Sequence, residues 1–224
     1  ADWLRSVIGT AGLGLLLAVI LKERLRGSSF FKAIFFMPIA MAPVIIAAIF
    51  RIIMDPNVGA INEALRFLHL DFLAQSWLGD PHIALYSICA INIFEWMGFS
   101  MIIYYAGLMS ISDDIYEAAK IDGANDREIL FKIKIPMVMP SVTICTFLTL
   151  TNSFKLFDQN VALTAGEPAN ASEMLALNIY NTFYGRSGAQ WKGIGQAKAV
   201  VFFLIVVVIS LIQLHFTRSK EVQQ

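Results

Sequence analysis

The stretch IALYSICAINIFEWMGFSMIIYYAGLMSI, residues 83–111, decides the fold class of this protein. Glu95 is its only charged residue. A helix needs about 17 to 25 predominantly apolar residues to cross the hydrocarbon core of a bilayer, and a longer one can cross with a tilt. The stretch therefore predicts a transmembrane helix rather than a helix buried in a soluble core.

Four further apolar runs flank this stretch, and the chain as a whole has a membrane composition. Of its 224 residues, 57% are hydrophobic and only 15% are charged, against roughly 25% in soluble domains. We predict an all-α polytopic membrane protein with one transmembrane domain over residues 1–224, and Pro38 and Pro43 predict a kink in its second span. We place its five spans at about residues 3–21, 31–53, 83–109, 135–156 and 197–216.

Basic residues between the spans predict the orientation of the chain. Ten of the seventeen fall on one side if the spans alternate, and the positive-inside rule makes that side the cytoplasm. The N-terminus then begins outside with no preceding segment to export it, so we expect that a first helix is missing from this sequence. The ten residues are Lys22, Arg24, Arg26, Lys32, Lys120, Arg127, Lys132, Lys134, Arg218 and Lys220.

The composition and the polar residues argue against several other functions. The net charge is zero, so no overall attraction to nucleic acid is expected. Cys89 and Cys145 lie inside apolar runs and the three histidines have no ligand-like spacing, so neither a disulfide framework nor a metal site is predicted. No GxxxxGKS/T pattern occurs in the sequence, so we expect the chain to hold no nucleotide, and we assign it no cofactor and no catalytic residue.

The loop between the third and fourth predicted spans has the most specific local pattern. It has the sequence SISDDIYEAAKIDGANDREILFKIKIPMVMP over residues 110–140. Ser110 fits an N-terminal capping box, Gly123 supplies the positive φ that ends a helix, and Asn125 with Glu128 fits a second capping box. These signals predict a cytoplasmic helix-turn-helix, which on local chemistry alone fits an ordinary structured loop as well as a docking surface.

Nine residues of this stretch stand at the spacing of a known motif: Glu117, Ala118, Ala119, Asp122, Gly123, Ala124, Ile133, Pro136 and Pro140. The loop, at about residues 110–136, resembles the EAA loop of permease subunits of bacterial binding-protein-dependent ABC importers. Ser112 departs from the family pattern, which usually has a proline there. We call residues 110–136 the EAA segment.

Other positions resemble the sugar branch of that family, on the side of the maltose system's larger permease subunit. They include residues 98–99, 106–108 and 157–158, while Glu167 stands where a glycine is usual. Members of the family usually have at least six spans, so the resemblance independently implies that the first helix is missing here.

The resemblance implies a permease subunit, not itself an enzyme, of an ATP-driven importer that moves a carbohydrate across the bacterial cytoplasmic membrane. It implies a heterodimer with a second homologous permease, two ATPase subunits that hold ATP and magnesium, and an extracytoplasmic sugar-binding protein. The sugar stays open, from monosaccharides to oligosaccharides and sugar-alcohol phosphates. The residues that the resemblance assigns to ATPase coupling are Tyr116, Glu117, Ala118, Ala119, Asp122, Gly123 and Ala124.

Glu95 is the leading candidate for the substrate pathway. A carboxylate inside a bilayer is costly unless it faces a cavity, a partner charge or water. Glu95 can bind substrate hydroxyls, or it can pair for structural reasons with Lys155 or with the partner permease. The other candidates, at helical spacing from Glu95 or where the maltose-type family lines its cavity, are Asn92, Trp96, Phe99, Asn152, Ser153 and Lys155.

Glu95 also supports a competing hypothesis. A self-contained, ion-coupled secondary transporter would use it as a proton or cation site. That class predicts internal repeats and several intramembrane acids, whereas this sequence has one such acid and no evident repeat. A passive membrane scaffold, the third hypothesis, leaves the EAA segment unexplained.

Overall fold

The computed structural model describes residues 2–22, 27–154 and 156–218, and every regular element in these ranges is helical. The all-α prediction is therefore confirmed for this part of the chain. Two short 3₁₀ turns, Met37–Ala40 and Asp71–Leu73, and a π-helical turn, Ile129–Lys134, join the α-helices. The α-helices are α1 (Asp2–Lys22), α2 (Ser28–Phe36), α3 (Pro43–Ile53), α4 (Ala60–Phe67), α5 (Ala84–Met109), α6 (Asp113–Ile121), α7 (Asp126–Glu128), α8 (Ile135–Met137), α9 (Met139–Phe154), α10 (Asp158–Leu163), α11 (Leu175–Tyr184) and α12 (Ala189–Arg218).

Among the described residues, two helices are long and apolar enough to cross a membrane, α5 and α12. The number rises to four if each of two bent helix pairs counts as one span, and α1 adds a shorter apolar helix. The count of five spans stays a prediction. Most apolar side chains of α12 are exposed, Phe203 at 64% and Leu211 at 61%, which is the expected state of a lipid-facing helix.

The second predicted span is broken rather than kinked. The axis turns by 102° between residues 28–40 and α3. Ala42 has an extended backbone, φ −62° and ψ 137°, because the ring of Pro43 disfavours the helical conformation in the residue before it. Pro43 then starts α3 at a position where its missing N–H costs no hydrogen bond. Both sides of the break lie near α5, residues 28–40 at Gly98 and α3 at Ile88.

Close packing of small residues joins α1 to α5. A Cβ added at Gly14 would lie 2.7 Å from the Ser100 Cβ atom, and one added at Gly9 would lie 2.6 Å from Ile93 Cδ1. Such glycines let helices approach closely where hydrophobic burial alone gives little preference for one contact over another. At one end of this pair, residues of the two helices and of the chain that follows α5 form a core with Val138 and Cys145. They are Ala18, Leu21, Met101, Tyr104, Leu108 and Ile111.

Gly98 holds the broken span against α5. A Cβ at this position would lie 1.8 Å from the backbone oxygen of Phe35 and 3.0 Å from the Cα of Phe36, so only glycine permits this approach. Gly98 lies one helical turn from Glu95, and the packing therefore brings the break in the chain close to that carboxylate.

Helix α10 folds back into the protein. It lies between the fourth and fifth predicted spans, yet its Leu163 packs with Ile46, Ala47, Ile88 and Ile91. Helix α12 begins at Ala189, before the predicted start of its span. The short α10 thereby places polar side chains beside α5.

Candidate functional site

Glu95 lines a cavity of about 120 Å³ whose wall mixes polar and apolar side chains. Four of the residues predicted for the substrate pathway line it: Asn92, Glu95, Trp96 and Asn152. Pro43, at the break between α2 and α3, and Gln159 of α10 complete this side of the cavity. Three separate parts of the sequence thus meet at the carboxylate.

Glu95 forms its hydrogen bond with Gln159, a residue that the sequence interpretation missed. Nε2 of Gln159 donates to Oε2 of Glu95, and both residues are only 3% exposed. Among the described residues, Oε1 of Gln159 has no hydrogen-bond partner. Because this oxygen is buried, a ligand in the cavity can reach it only if the Gln159 side chain moves.

A second cavity of about 230 Å³ lies beside the first and shares Asn92 with it. Ser6 of α1 donates a hydrogen bond of 2.7 Å to Oδ1 of Asn92, which fixes that amide between the two cavities. Ser153 lines the second cavity and donates to the Thr149 carbonyl at 2.8 Å.

Phe99 and Lys155 differ from the other residues predicted for the substrate pathway. Phe99 is not among the lining residues of either cavity and packs edge-to-face on Trp96, with ring centroids 5.8 Å apart. Lys155 lies outside the described residues, so its predicted pairing with Glu95 stays a prediction. No group of three His, Cys, Asp or Glu side chains able to hold a metal ion occurs in the described ranges.

The N-cap of the first helix in the EAA segment lies two residues after the predicted one. The N-cap of α6 is Ser112, whose Oγ accepts a hydrogen bond from the Asp114 N–H at 3.3 Å. Ser110 instead ends α5 and donates to the Gly107 carbonyl at 2.8 Å. The prediction of Ser110 as the cap was wrong because α5 continues to Met109 and uses that serine at its own C-terminal end.

The turn after α6 has the predicted chemistry. Gly123 has a φ of +84°, and Asn125 and Glu128 form a complete capping box with hydrogen bonds of 3.0 and 3.1 Å. Lys132 donates to Glu128 at 2.8 Å, and this bond, together with the N–H of Asn125, holds the pKa of that carboxyl below its usual range.

Five of the seven residues predicted for ATPase coupling line two open grooves. One groove, of about 470 Å³, contains Tyr116 and Glu117, and the other, of about 350 Å³, contains Asp122, Gly123 and Ala124. Ala118 is exposed and Ala119 is half-buried on the same short helix. Ile121, next to the turn, is 86% exposed.

Tyr116 differs from its exposed neighbours because it packs against the core around Met101 and Leu108. Lys22, at the last turn of α1, donates a hydrogen bond of 2.8 Å to its hydroxyl. Burial, with a smaller contribution from Asp113, raises the pKa of the Tyr116 hydroxyl, which therefore stays protonated.

Comparisons with known proteins identify the family. Residues 11–222 match the family described as binding-protein-dependent transport system inner membrane component. A probable starch degradation products transport system permease protein of Thermoanaerobacterium thermosulfurigenes is 37% identical over 211 residues, which are 94% of this chain and 70% of that protein. The maltose/maltodextrin transport system permease protein MalF of Vibrio cholerae is 32% identical over 227 residues, 96% of this chain and 43% of that protein.

The fold has a solved counterpart. A chain in the crystal structure of a bacterial alginate ABC transporter, in complex with an alginate pentasaccharide-bound periplasmic protein, is similar with a TM-score of 0.80. The two sequences are 23% identical, and the match covers 96% of this chain and 77% of that chain. These matches favour transport with a binding protein over an ion-coupled transporter built on Glu95, and the chain belongs to the family of inner membrane components of binding-protein-dependent transport systems, as a permease subunit.

Proposed function

We propose that this permease subunit imports a carbohydrate across the bacterial cytoplasmic membrane in an ATP-driven complex. The two relatives act, by their names, on starch degradation products and on maltose and maltodextrin, and the structural counterpart holds an alginate pentasaccharide on its periplasmic protein. All three are saccharide systems. An external sugar-binding protein would deliver the substrate, and a second homologous permease would complete the pathway.

The observation that carries the coupling proposal is the exposed turn at the end of α6. The turn has small alanines before it, and Ile121 is exposed beside it. Gly123 turns the chain with a positive φ, and two grooves lie beside the projecting turn, which we call the knob. Such a shape suits insertion into a cleft of another protein. Each of two separate ATPase subunits, which hold ATP and magnesium, would receive the knob of one permease, and Glu117 would pair there with a basic residue.

The topology follows from the same proposal. The five spans predicted over the single domain of residues 1–224 would place the EAA segment, at about residues 110–136, on the cytoplasmic side together with Lys22 and Lys32. The cavity around Glu95 would then lie within the membrane. The other groups proposed for the substrate pathway are Asn92, Trp96, Phe99, Asn152, Ser153 and Lys155.

The carboxylate and amides at the cavity suit a sugar. Hydroxyl groups donate to carboxylate and amide oxygens, and the Trp96 ring offers an apolar face of the kind that sugar rings pack on. The small volume of about 120 Å³ fits a pathway that opens during transport rather than a site for a whole oligosaccharide.

Co-purification with candidate ATPase subunits tests the coupling proposal. We expect the wild-type chain to carry an ATPase through purification in detergent, and both Glu117→Lys and Gly123→Pro to lose it. The first reverses the charge of the knob, and the second forces a negative φ on a residue with φ +84°.

The matched control is Glu63→Lys, the same charge reversal on the exposed surface of α4, and it should keep the ATPase. Retention of the ATPase by both EAA-segment variants, with ATP-dependent uptake unimpaired, would overturn the proposal.

A further inference from the structure

Lys22 joins three helices at one end of the protein. Its ammonium lies at the last residue of α1 and donates to the Leu108 carbonyl of α5 at 2.6 Å. The same ammonium donates to the Tyr116 hydroxyl of α6 at 2.8 Å and lies 4.4 Å from the centre of that ring. One side chain therefore contacts the end of α1, the end of α5 and the helix proposed to meet the ATPase.

The contacts of Lys22 are of a kind that can make the three helices move together. The Leu108 carbonyl is one of the last four of α5, which have no partner inside their own helix and need one elsewhere. Hydrogen bonds from an ammonium are shorter and stronger than those between neutral groups. Lys134 also lies 5.9 Å from the Tyr116 ring, so a second cation faces the same residue from the π-helical turn.

Tyr116 is the natural point for this link. It is half-buried and packs on the core, whereas Ile115, Glu117 and Ala118 beside it are exposed. Within α6, Tyr116 is the side chain that packs on this core, so a displacement of α6 acts on the core through Tyr116 as well as through the short connection to α5.

We infer that Lys22 is a positioning residue that makes α1 and α5 follow the coupling helix when the ATPase moves it. This inference rests on the proposed coupling function and adds to it a route from the EAA segment to the helices that border the cavities, since Ser6 of α1 and Asn92 of α5 lie on the same two helices. A positive charge that serves orientation alone would need none of these contacts.

The test measures motion in the complete transporter, isolated with its ATPase subunits, and requires no knowledge of the substrate. Spin labels replace Ile8 on α1 and Ile52 on α3, which are 62% and 71% exposed. The distance between them is measured before and after the ATPase is trapped with ATP, magnesium and vanadate. We expect a shift in the wild type that Lys22→Met abolishes, although Lys22→Met retains the ATPase and traps vanadate as well as the wild type.

Two further variants keep the test interpretable. Tyr116→Phe removes only the hydroxyl and should reduce the shift, so it serves also if Lys22→Met does not fold. Lys32→Met is the matched control, because Lys32 likewise lies over a tyrosine ring, 4.2 Å from the centre of Tyr105, and that tyrosine belongs to α5 rather than to α6. In the Lys32→Met complex, the distance between the two labels should shift as it does in the wild type.

The outcomes separate the two proposals. An absence of ATPase from the wild-type preparation would overturn the proposed function itself. A wild-type complex in which trapping moves no label, or a Lys22→Met complex that moves as the wild type does, would overturn only the role of Lys22. Loss of the ATPase from Lys22→Met would also overturn it, because Lys22 would then act on docking.

Discussion

The EAA segment and the polar cluster of Glu95, Gln159, Asn92 and Ser6 differ in how far apart in the sequence their hydrogen-bond partners lie. In the EAA segment, the hydrogen bonds of Ser112, of Asn125 with Glu128, and of Lys132 all join residues at most four positions apart. In the polar cluster, Gln159 contacts Glu95 across 64 positions and Ser6 contacts Asn92 across 86. Apart from Tyr116, whose hydroxyl accepts a hydrogen bond from Lys22 across 94 positions, the first site is a local structure displayed on the surface. The second exists only when distant helices have packed.

This difference predicts how each region responds to substitution. The turn and the helix caps of the EAA segment can lose their function while the fold stays intact, since their hydrogen bonds join sequence neighbours. A site made of distant helices loses its geometry together with the packing that assembles it. Stability measurements can therefore distinguish the two regions.

The largest effect is expected at Gly98. Gly98→Ala would put a Cβ 1.8 Å from the Phe35 oxygen, so α5 and the broken span must separate. Overpacking of this kind typically costs about 1–3 kcal/mol, and each kcal/mol lowers the melting temperature of a domain of this size by about 2–4 °C. Thermal unfolding in detergent measures the loss.

Gly12→Ala is the control for Gly98→Ala. A Cβ at Gly12 meets nothing within 4 Å, and alanine favours a helix over glycine. Its melting temperature should equal or exceed that of the wild type. Equal stability of Gly98→Ala and Gly12→Ala would show that the polar cluster does not depend on this close approach.

The next effect concerns the pair of Glu95 and Gln159. Gln159→Leu leaves the Glu95 carboxylate buried without its amide donor, and an unsatisfied buried group costs about 1–3 kcal/mol, more when it is charged. Glu95→Gln should cost less, because two amides can still form a hydrogen bond. Replacement of both residues by leucine should recover part of the loss, since neither partner is then left unsatisfied.

A double-mutant cycle on the melting temperatures measures this coupling. The control is Gln196→Leu, at an exposed position of α12. Additive effects of Glu95→Leu and Gln159→Leu would mean that the two side chains do not interact, and the cavity would then lack the pair on which its proposed chemistry depends.

The contrast between the two regions also explains which features the sequence could predict. The positive φ of Gly123 and the capping box of Asn125 and Glu128 depend only on residues close together in the sequence, so local rules were sufficient to predict them. The partner of Glu95 depends on where α10 packs, and no local rule places Gln159 beside a residue 64 positions away. The two prolines likewise predicted a kink in the second span, but they could not give the 102° turn of the axis or the close contact of Phe35 with Gly98.

The smallest effect on the stability of the whole protein is expected for a substitution at Asn125. Asn125→Ala removes the cap of α7, which costs about 1 kcal/mol of local helix stability. Because the cap is exposed and its partners are sequence neighbours, the melting temperature of the whole protein should stay unchanged, while hydrogen exchange speeds up at the amides of residues 126–134. Asn125→Ser, which keeps a capping oxygen, should exchange as slowly as the wild type. A fall in the global melting temperature for Asn125→Ala alone would mean that the EAA segment is part of the cooperative core, and the division between a local site and a packed site would fail.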